Sequence, residues 1–181
     1  AFQKGLEQFE RAVEIAPQAV PLDVYFRLAA ISFSQGTWPH ETFENIRKIH
    51  PDVPELTMLS GVAAFLSDDI ETQKRGEAAI HSATEQASDK ELLRFKAATA
   101  YQNLASYFHR NQNHKKAVVL YRKALALRPG YPTALFNFAN ALYRLGHVED
   151  AIRMMEQAAR AESVREQALR RLGLMRSEQG R

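Results

Sequence analysis

Cysteine is absent from the 181 residues. That excludes disulfides, thiol nucleophiles and cysteine-ligated zinc, and leaves the redox compartment open. Glycine and proline are scarce, at 8 and 7, so long helices are permitted almost everywhere. No stretch approaches the roughly 20 continuous apolar residues that a membrane-crossing helix needs. The first residues, Ala1-Phe2-Gln3-Lys4, lack the charged-then-apolar layout of a signal peptide. Catalytic motifs are missing too. The six histidines, His40, His50, His81, His109, His114 and His147, form no H-E-x-x-H pair. There is no G-x-S-x-G elbow and no phosphate-cradling glycine loop. Asp68 and Asp69 are adjacent on a predicted connection, where solvation accounts for them. The expectation is a protein that is not an enzyme and carries neither cofactor nor metal.

What is present is the composition of a folded protein, 45% hydrophobic and 25% charged. The net charge of +3 conceals an asymmetry. Residues 1–93 carry 15 acidic and 8 basic side chains. Residues 94–131 carry Arg94, Lys96, Arg110, Lys115, Lys116, Arg122, Lys123 and Arg128 with no acid. A local excess of this size attracts an acidic partner, unless it is only a solvated helical surface. Nucleic acid is disfavoured: Tyr101, Tyr107 and Tyr121 could stack on bases, but no binding motif accompanies the charge.

An internal repeat organises the second half. Residue 98 laid over residue 132 pairs Tyr101 with Leu135, Asn103 with Asn137, Leu104 with Phe138, Ala105 with Ala139 and Arg110 with Arg144. Further on, Ala117 pairs with Ala151, Val118 with Ile152, Tyr121 with Met155 and Ala124 with Ala158. Within a period the apolar spacing is helical. Tyr101, Leu104, Ala105 and Phe108 share one face, and Val118, Tyr121 and Leu125 make another after the turn Asn111-Gln112-Asn113. Pro129-Gly130 ends the second helix. Each period is therefore two antiparallel helices, A and B. Ala105, Ala139 and Gly173 on helix A, and Ala117, Ala124, Ala151 and Ala158 on helix B, are small enough for a neighbouring helix to come close.

The first half keeps the rule less cleanly. Gly5, Phe9, Ala12 and Pro17 reappear one period later as Pro39, Phe43, Ile46 and Pro51. Reaching the copy at Ala117, Tyr121, Ala124 and Pro129 takes three periods and about ten more positions, which places an insertion between Leu66 and Ala98, around 67–88. Part of it is the connection Ser67-Asp68-Asp69, and the rest lengthens a helix opening at the capping-box pattern Ser88-Asp89-Lys90-Glu91. The register of residues 53–66 is open by one position. Val24, Leu28, Ile31, Met58, Val62 and Phe65 read as core in preference to an apolar groove.

These residues resemble the tetratricopeptide repeat, with its W-x2-L-G-x2-Y, A-x3-F and late-proline pattern, and the period matches that family's repeat length. One copy reads Tyr101-x2-Leu104-Ala105-x2-Phe108, Ala117-x3-Tyr121 and Pro129. The next reads Leu135-x2-Phe138-Ala139-x2-Leu142 and Ala151-x3-Met155, with Ser163 in place of the proline. The resemblance implies an all-α, right-handed solenoid of antiparallel helix pairs. Residues 1–97 would be degenerate repeats, and residues 98–181 two well-matched repeats with the first helix of a third. Residues 2–16 read as a helix B lacking its A, and 164–179 as a helix A lacking its B. That pattern leads us to expect a segment of a longer protein, or open ends covered by another chain.

At about 100° per residue, the face of helix A opposite the apolar stripe carries Thr99, Asn103, Ser106 and Arg110, then Thr133, Asn137, Asn140 and Arg144, then Gln167, Arg171, Leu174 and Glu178. By resemblance this face lines a concave groove that holds an extended peptide or a partner helix. Asn offers a donor and an acceptor to any backbone, and Arg a forked donor to carboxylates. The alternative for the Asn pair is to bond neighbouring helices. The row resembles the asparagine ladder of O-linked N-acetylglucosamine transferase repeats, with two rungs. It also resembles the carboxylate clamp of chaperone co-factors at Asn137 and Arg171, with Gln102, Ser106 and Gln167 standing where that clamp has Lys, Asn and Lys. The sequence thus predicts a protein–protein interaction scaffold for an acidic or carboxylate-bearing protein segment. Its rivals are a substrate-selecting or regulatory arm of a larger enzyme such as a glycosyltransferase, and a scaffold that self-assembles head to tail through its open ends.

Overall fold

The computed structural model describes residues 20–179, together with Gly5, Gln8, Arg11, Ala12, Ile15 and Ala16. The helix expected over residues 2–16 lies outside the continuously described stretch. Among the described residues there are nine α-helices and no strand. They fall into two compact units, residues 1–93 and 94–181.

In the first unit, α1 spans Leu22–Gln35, α2 His40–Ile49, α3 Pro54–Ala63 and α4 Ile70–Gln86. Gly36, at φ 68°, closes α1, and the amide of Thr37 returns to the Ser32 carbonyl at 2.9 Å. That left-handed residue is a glycine because a Cβ would be strained there. Pro54 opens α3 at a position whose missing N–H would have had no helical partner anyway. A short 3-10 turn, Ala64–Leu66, prolongs α3. At the start of α4, Asp69 accepts from the Thr72 amide at 2.8 Å and its hydroxyl at 2.5 Å. Those bonds to the charged form hold the Asp69 carboxyl below the usual carboxylate range.

Two devices hold these helices together. Trp38, in the α1–α2 connection, stacks on Phe33 with ring centres 5.3 Å apart and on Phe43 at 4.0 Å, tying the two helices to one aromatic column. Between α3 and α4 the backbones themselves touch. A Cβ at Gly61 would lie 2.6 Å from the Gly76 carbonyl oxygen, and one at Gly76 would lie 2.5 Å from that of Gly61. Leu28, Met58, Val62 and Phe65 are buried and belong to the core, whereas Ile31 is exposed.

The second unit holds α5 (Lys90–Arg110, within it from Arg94), α6 (His114–Leu127), α7 (Pro132–Arg144), α8 (Val148–Ala158) and α9 (Arg165–Gln179). The sequence pattern puts Ser88 at the cap of α5. Instead it is Asp89 whose carboxylate accepts from the Leu92 amide at 2.8 Å, so the helix starts one residue later on a charged acceptor. The repeat is visible in the backbone as well as in the residues. Gln112 and Gly146 both have positive φ, 63° and 82°. The amides that follow them, of Asn113 and His147, bond back to the Phe108 and Leu142 carbonyls at 2.9 and 3.0 Å. The same helix-ending motif thus closes α5 and α7. Asn113 adds a side-chain cap to α6, accepting from the Lys116 amide at 3.2 Å.

Inside the pairs Tyr101, Leu104, Ala105, Val118 and Tyr121 are buried, and Ala117, Ala124, Ala139, Ala151 and Ala158 have no exposed surface. Each buried large apolar side chain contributes about 1.5–3 kcal/mol, and the alanines let those side chains interlock by keeping the helix axes near. Gly173 departs from this scheme. It is exposed, and a Cβ there would meet nothing within 4 Å, so no described neighbour presses on α9 at that point.

Candidate functional site

Helices α5, α7 and α9 are the first helices of successive pairs, so their outer faces form rows. The short connections 111–113, 128–131 and 145–147 make neighbouring helices antiparallel and keep those rows in register. The structure brings two of the rows together directly. Arg171 Nε on α9 donates to Asn140 Oδ1 on α7 at 3.0 Å, and its guanidinium lies 5.1 Å from the Tyr143 ring centre. Tyr143 in turn donates its hydroxyl proton to the Glu178 carboxylate. Asn140 also donates its own amide to the Phe136 carbonyl at 3.1 Å. Both of its ends are therefore engaged, while the terminal nitrogens of Arg171 bear no hydrogen bond among the described residues.

Asn103 and Asn137, one period apart, are half-buried. Among the described residues neither amide has a hydrogen-bond partner. A half-buried amide with donor and acceptor both unspent is poised for a backbone brought to it. Thr99 is half-buried and spends its hydroxyl on the Phe95 carbonyl of its own helix at 3.0 Å, whereas Thr133 is exposed. Arg110 and Arg144 are exposed at the helix ends. Ser106 does not point with this set. Its hydroxyl lies 3.1 Å from the Tyr121 hydroxyl on α6 and accepts from Gln102 Nε2 at 2.9 Å, so it joins α5 to its own partner helix. Burial pushes the Tyr121 phenol up to about 12, against the opposing pull of the Ser106 bond and the Arg110 charge.

One feature beside these rows is not visible in the sequence pattern. His109 and His114, at the end of α5 and the start of α6, face each other across the turn with their Nδ1 atoms 3.1 Å apart. One ring must donate to the other. Burial, and then the positive charge of His114 and Arg144, holds His109 below the usual histidine value of 6.5. Two histidines flanking one short turn were the available signal, but they match no recognised motif. Among the described residues no group of three or more His, Cys, Asp or Glu side chains could hold a metal ion. No helix of the described residues is long and apolar enough to cross a membrane.

The tetratricopeptide repeat profile matches residues 108–172. No curated protein sequence matches the chain. Among solved structures, the crystal structure of the yeast Tom70 superposes with a TM-score of 0.54 at 17% identity, covering 98% of this chain and 37% of that one. A human IFIT1 dimer with m7Gppp-AAAA aligns at a TM-score of 0.46 and 18% identity, over 99% of this chain and 43% of that one. The chain thus spans less than half the length of either protein. The likeness to Tom70 is one of fold, and the repeat assignment rests on the profile and on the period seen in the backbone. Residues 108–172 match the tetratricopeptide repeat family, and the described chain around them has an all-helical fold like that of Tom70.

Proposed function

We propose that the outer face of α5, α7 and α9 holds an extended segment of a partner protein that bears acidic side chains or a free carboxylate. The observation that carries this reading is the pair of half-buried, unpartnered amides at Asn103 and Asn137, spaced by one repeat on neighbouring first helices. Each can bond a peptide N–H and C=O whatever the partner's side chains. Arg110, Arg144 and the uncommitted nitrogens of Arg171 lie along the same face and supply forked donors for carboxylates. Asn140 fixes the Arg171 head, and Thr99 and Thr133 border the face. The run of residues 94–131 without an acid adds attraction at a distance.

The test is affinity capture with mass spectrometry, using the chain beside Asn103→Ala/Asn137→Ala and Arg110→Glu/Arg144→Glu. Each variant must first show unchanged helicity and melting. Partners captured by the parent chain should bind both variants at least roughly tenfold more weakly at low salt, since each lost charged or amide contact removes on the order of 1–3 kcal/mol. Equal affinity of the charge-reversed variant at low salt would sink the reading.

A further inference from the structure

We infer that the trough between α2, α3 and α4 of the first unit is a second interaction site, which receives an acidic peptide segment carrying one bulky apolar side chain. The trough encloses about 790 Å³ and lies wholly within residues 38–79. Three physical features define what fits it.

Its floor is small. Gly61, Ala64 and Gly76 line it where α3 and α4 cross, and the facing helix already fills the space beside each glycine, so the floor is closed backbone with one methyl. Thr57 and Ser60 also line it, and among the described residues their hydroxyls make no hydrogen bond. Those hydroxyls are free to pair with peptide groups, which an apolar guest would leave buried and unsatisfied.

Its wall is rigid and aromatic. Trp38 lines the trough half-buried and is held by the stack with Phe33 and Phe43, so a guest side chain meets a surface already ordered. Pre-ordering of this kind removes an entropy penalty from binding. Aromatic anchors in small-walled pockets are where interfaces concentrate their affinity.

Its rim is basic in an acidic setting. Residues 1–93 carry 15 acids against 8 bases, yet the trough's charged lining is Arg47, Arg75 and Glu44, with His40 beside them. Glu44 is already taken by Arg47 at 2.7 Å. Arg75 is exposed and in no ion pair among the described residues, acting on Asp69 only at a distance. A carboxylate entering along this rim meets Arg75, which forms no ion pair among the described residues, and Arg47, held by a single acid. Acid beside a bulky apolar residue is the combination that uses wall and rim together.

The chain has a single tryptophan, so its emission reports on this trough. The probe is a capped hexapeptide set with one Leu among Asp and Glu, titrated against the whole chain. Controls are the same peptides with Lys for the acids, the same with Ala for Leu, and isovalerate alone. Expected is a saturable shift of Trp38 emission with the acidic Leu peptides, weakened roughly tenfold by Arg47→Glu/Arg75→Glu and unaffected by Arg110→Glu/Arg144→Glu. The Arg47/Arg75 variant must keep the parent's circular dichroism and melting point. If it does not fold, Arg75→Gln alone serves and should weaken binding in the same direction. The inference falls on any of four results: no saturable shift at about 1 mM peptide, an equal response to the Lys peptides, an equal response to the Ala peptides or to isovalerate, or parent-like affinity in the folded arginine variant. Because the second unit's arginines serve as the control, failure here leaves the proposal for α5, α7 and α9 standing, and the converse holds.

Discussion

In residues 94–181 helices approach one another over alanine, and in residues 1–93 α3 and α4 meet backbone to backbone over glycine. The alanines Ala105, Ala117, Ala124, Ala139, Ala151 and Ala158 are buried at one repeat's spacing, and each fills its space with a methyl. Gly61 and Gly76 leave no room for even that methyl. Close helix packing therefore has two solutions here with different tolerances. The alanine contacts recur, so the loss of one is shared among similar neighbours. The glycine crossing occurs once, with Ile80 and Ala83 of α4 buried alongside it.

Glycine-to-alanine substitutions sharpen that contrast. Gly76→Ala should destabilise the first unit by about 2 kcal/mol, because overpacking against a carbonyl outweighs the roughly 1 kcal/mol gained in helix propensity. Urea unfolding followed by Trp38 emission would measure it, and an unshifted midpoint would break the comparison. Next in size is the turn position shared by α5 and α7. Gly146→Ala places a Cβ at φ 82° and should cost about 1 kcal/mol, while Gln112→Gly, relieving φ 63°, should return up to about 1 kcal/mol. Opposite signs at two positions one repeat apart are the expected signature in thermal melts. Smaller again, Gly173→Ala enters open space in a helix and should stabilise by about 0.5–1 kcal/mol, the reverse of Gly76.

The smallest effect is a pH dependence in the second unit. His109, facing His114 and Arg144, is held below 6.5 in the folded chain, so the unfolded chain binds its proton more readily. The contribution is intact above the unfolded value and is lost as pH falls through it toward the lower folded one. Between about pH 7.5 and 5.5 the second unit should lose less than about 1 kcal/mol, and His109→Gln should flatten that slope. A parent-like slope in the variant would assign the effect to other groups.

The second unit was the more legible one. Its period appears as residue identities, so angle alone places Tyr101, Leu104 and Ala105 inside, where they are buried. Ser106 shows the limit of that arithmetic. It lies almost directly above Thr99 on the helix, yet near enough to α6 for Tyr121 to claim its hydroxyl. Gly173 looked like a packing glycine because it aligns with Ala105 and Ala139. Whether a small residue is pressed upon depends on a neighbour, which the residue itself does not encode. For the same reason Gly61 and Gly76, two lone glycines in separate helical runs, gave no sign of touching. The Trp38 column and the His109–His114 pair join residues across turns, where side-chain direction rather than spacing decides contact.

The links between α7 and α9 carry a consequence for how the chain comes to be folded. Asn140 to Arg171 and Tyr143 to Glu178 reach 31 and 35 positions along the sequence, one repeat and no more. Closing a loop of that length costs an entropy term of only about 3 kcal/mol, and it is recovered as soon as the next helix lies down. A chain built from such short-range closures has low contact order and folds quickly, starting from whichever hairpin forms first. On a ribosome, each helix pair of the second unit would have its packing partner within one further repeat of synthesis, so little apolar surface would wait long for cover.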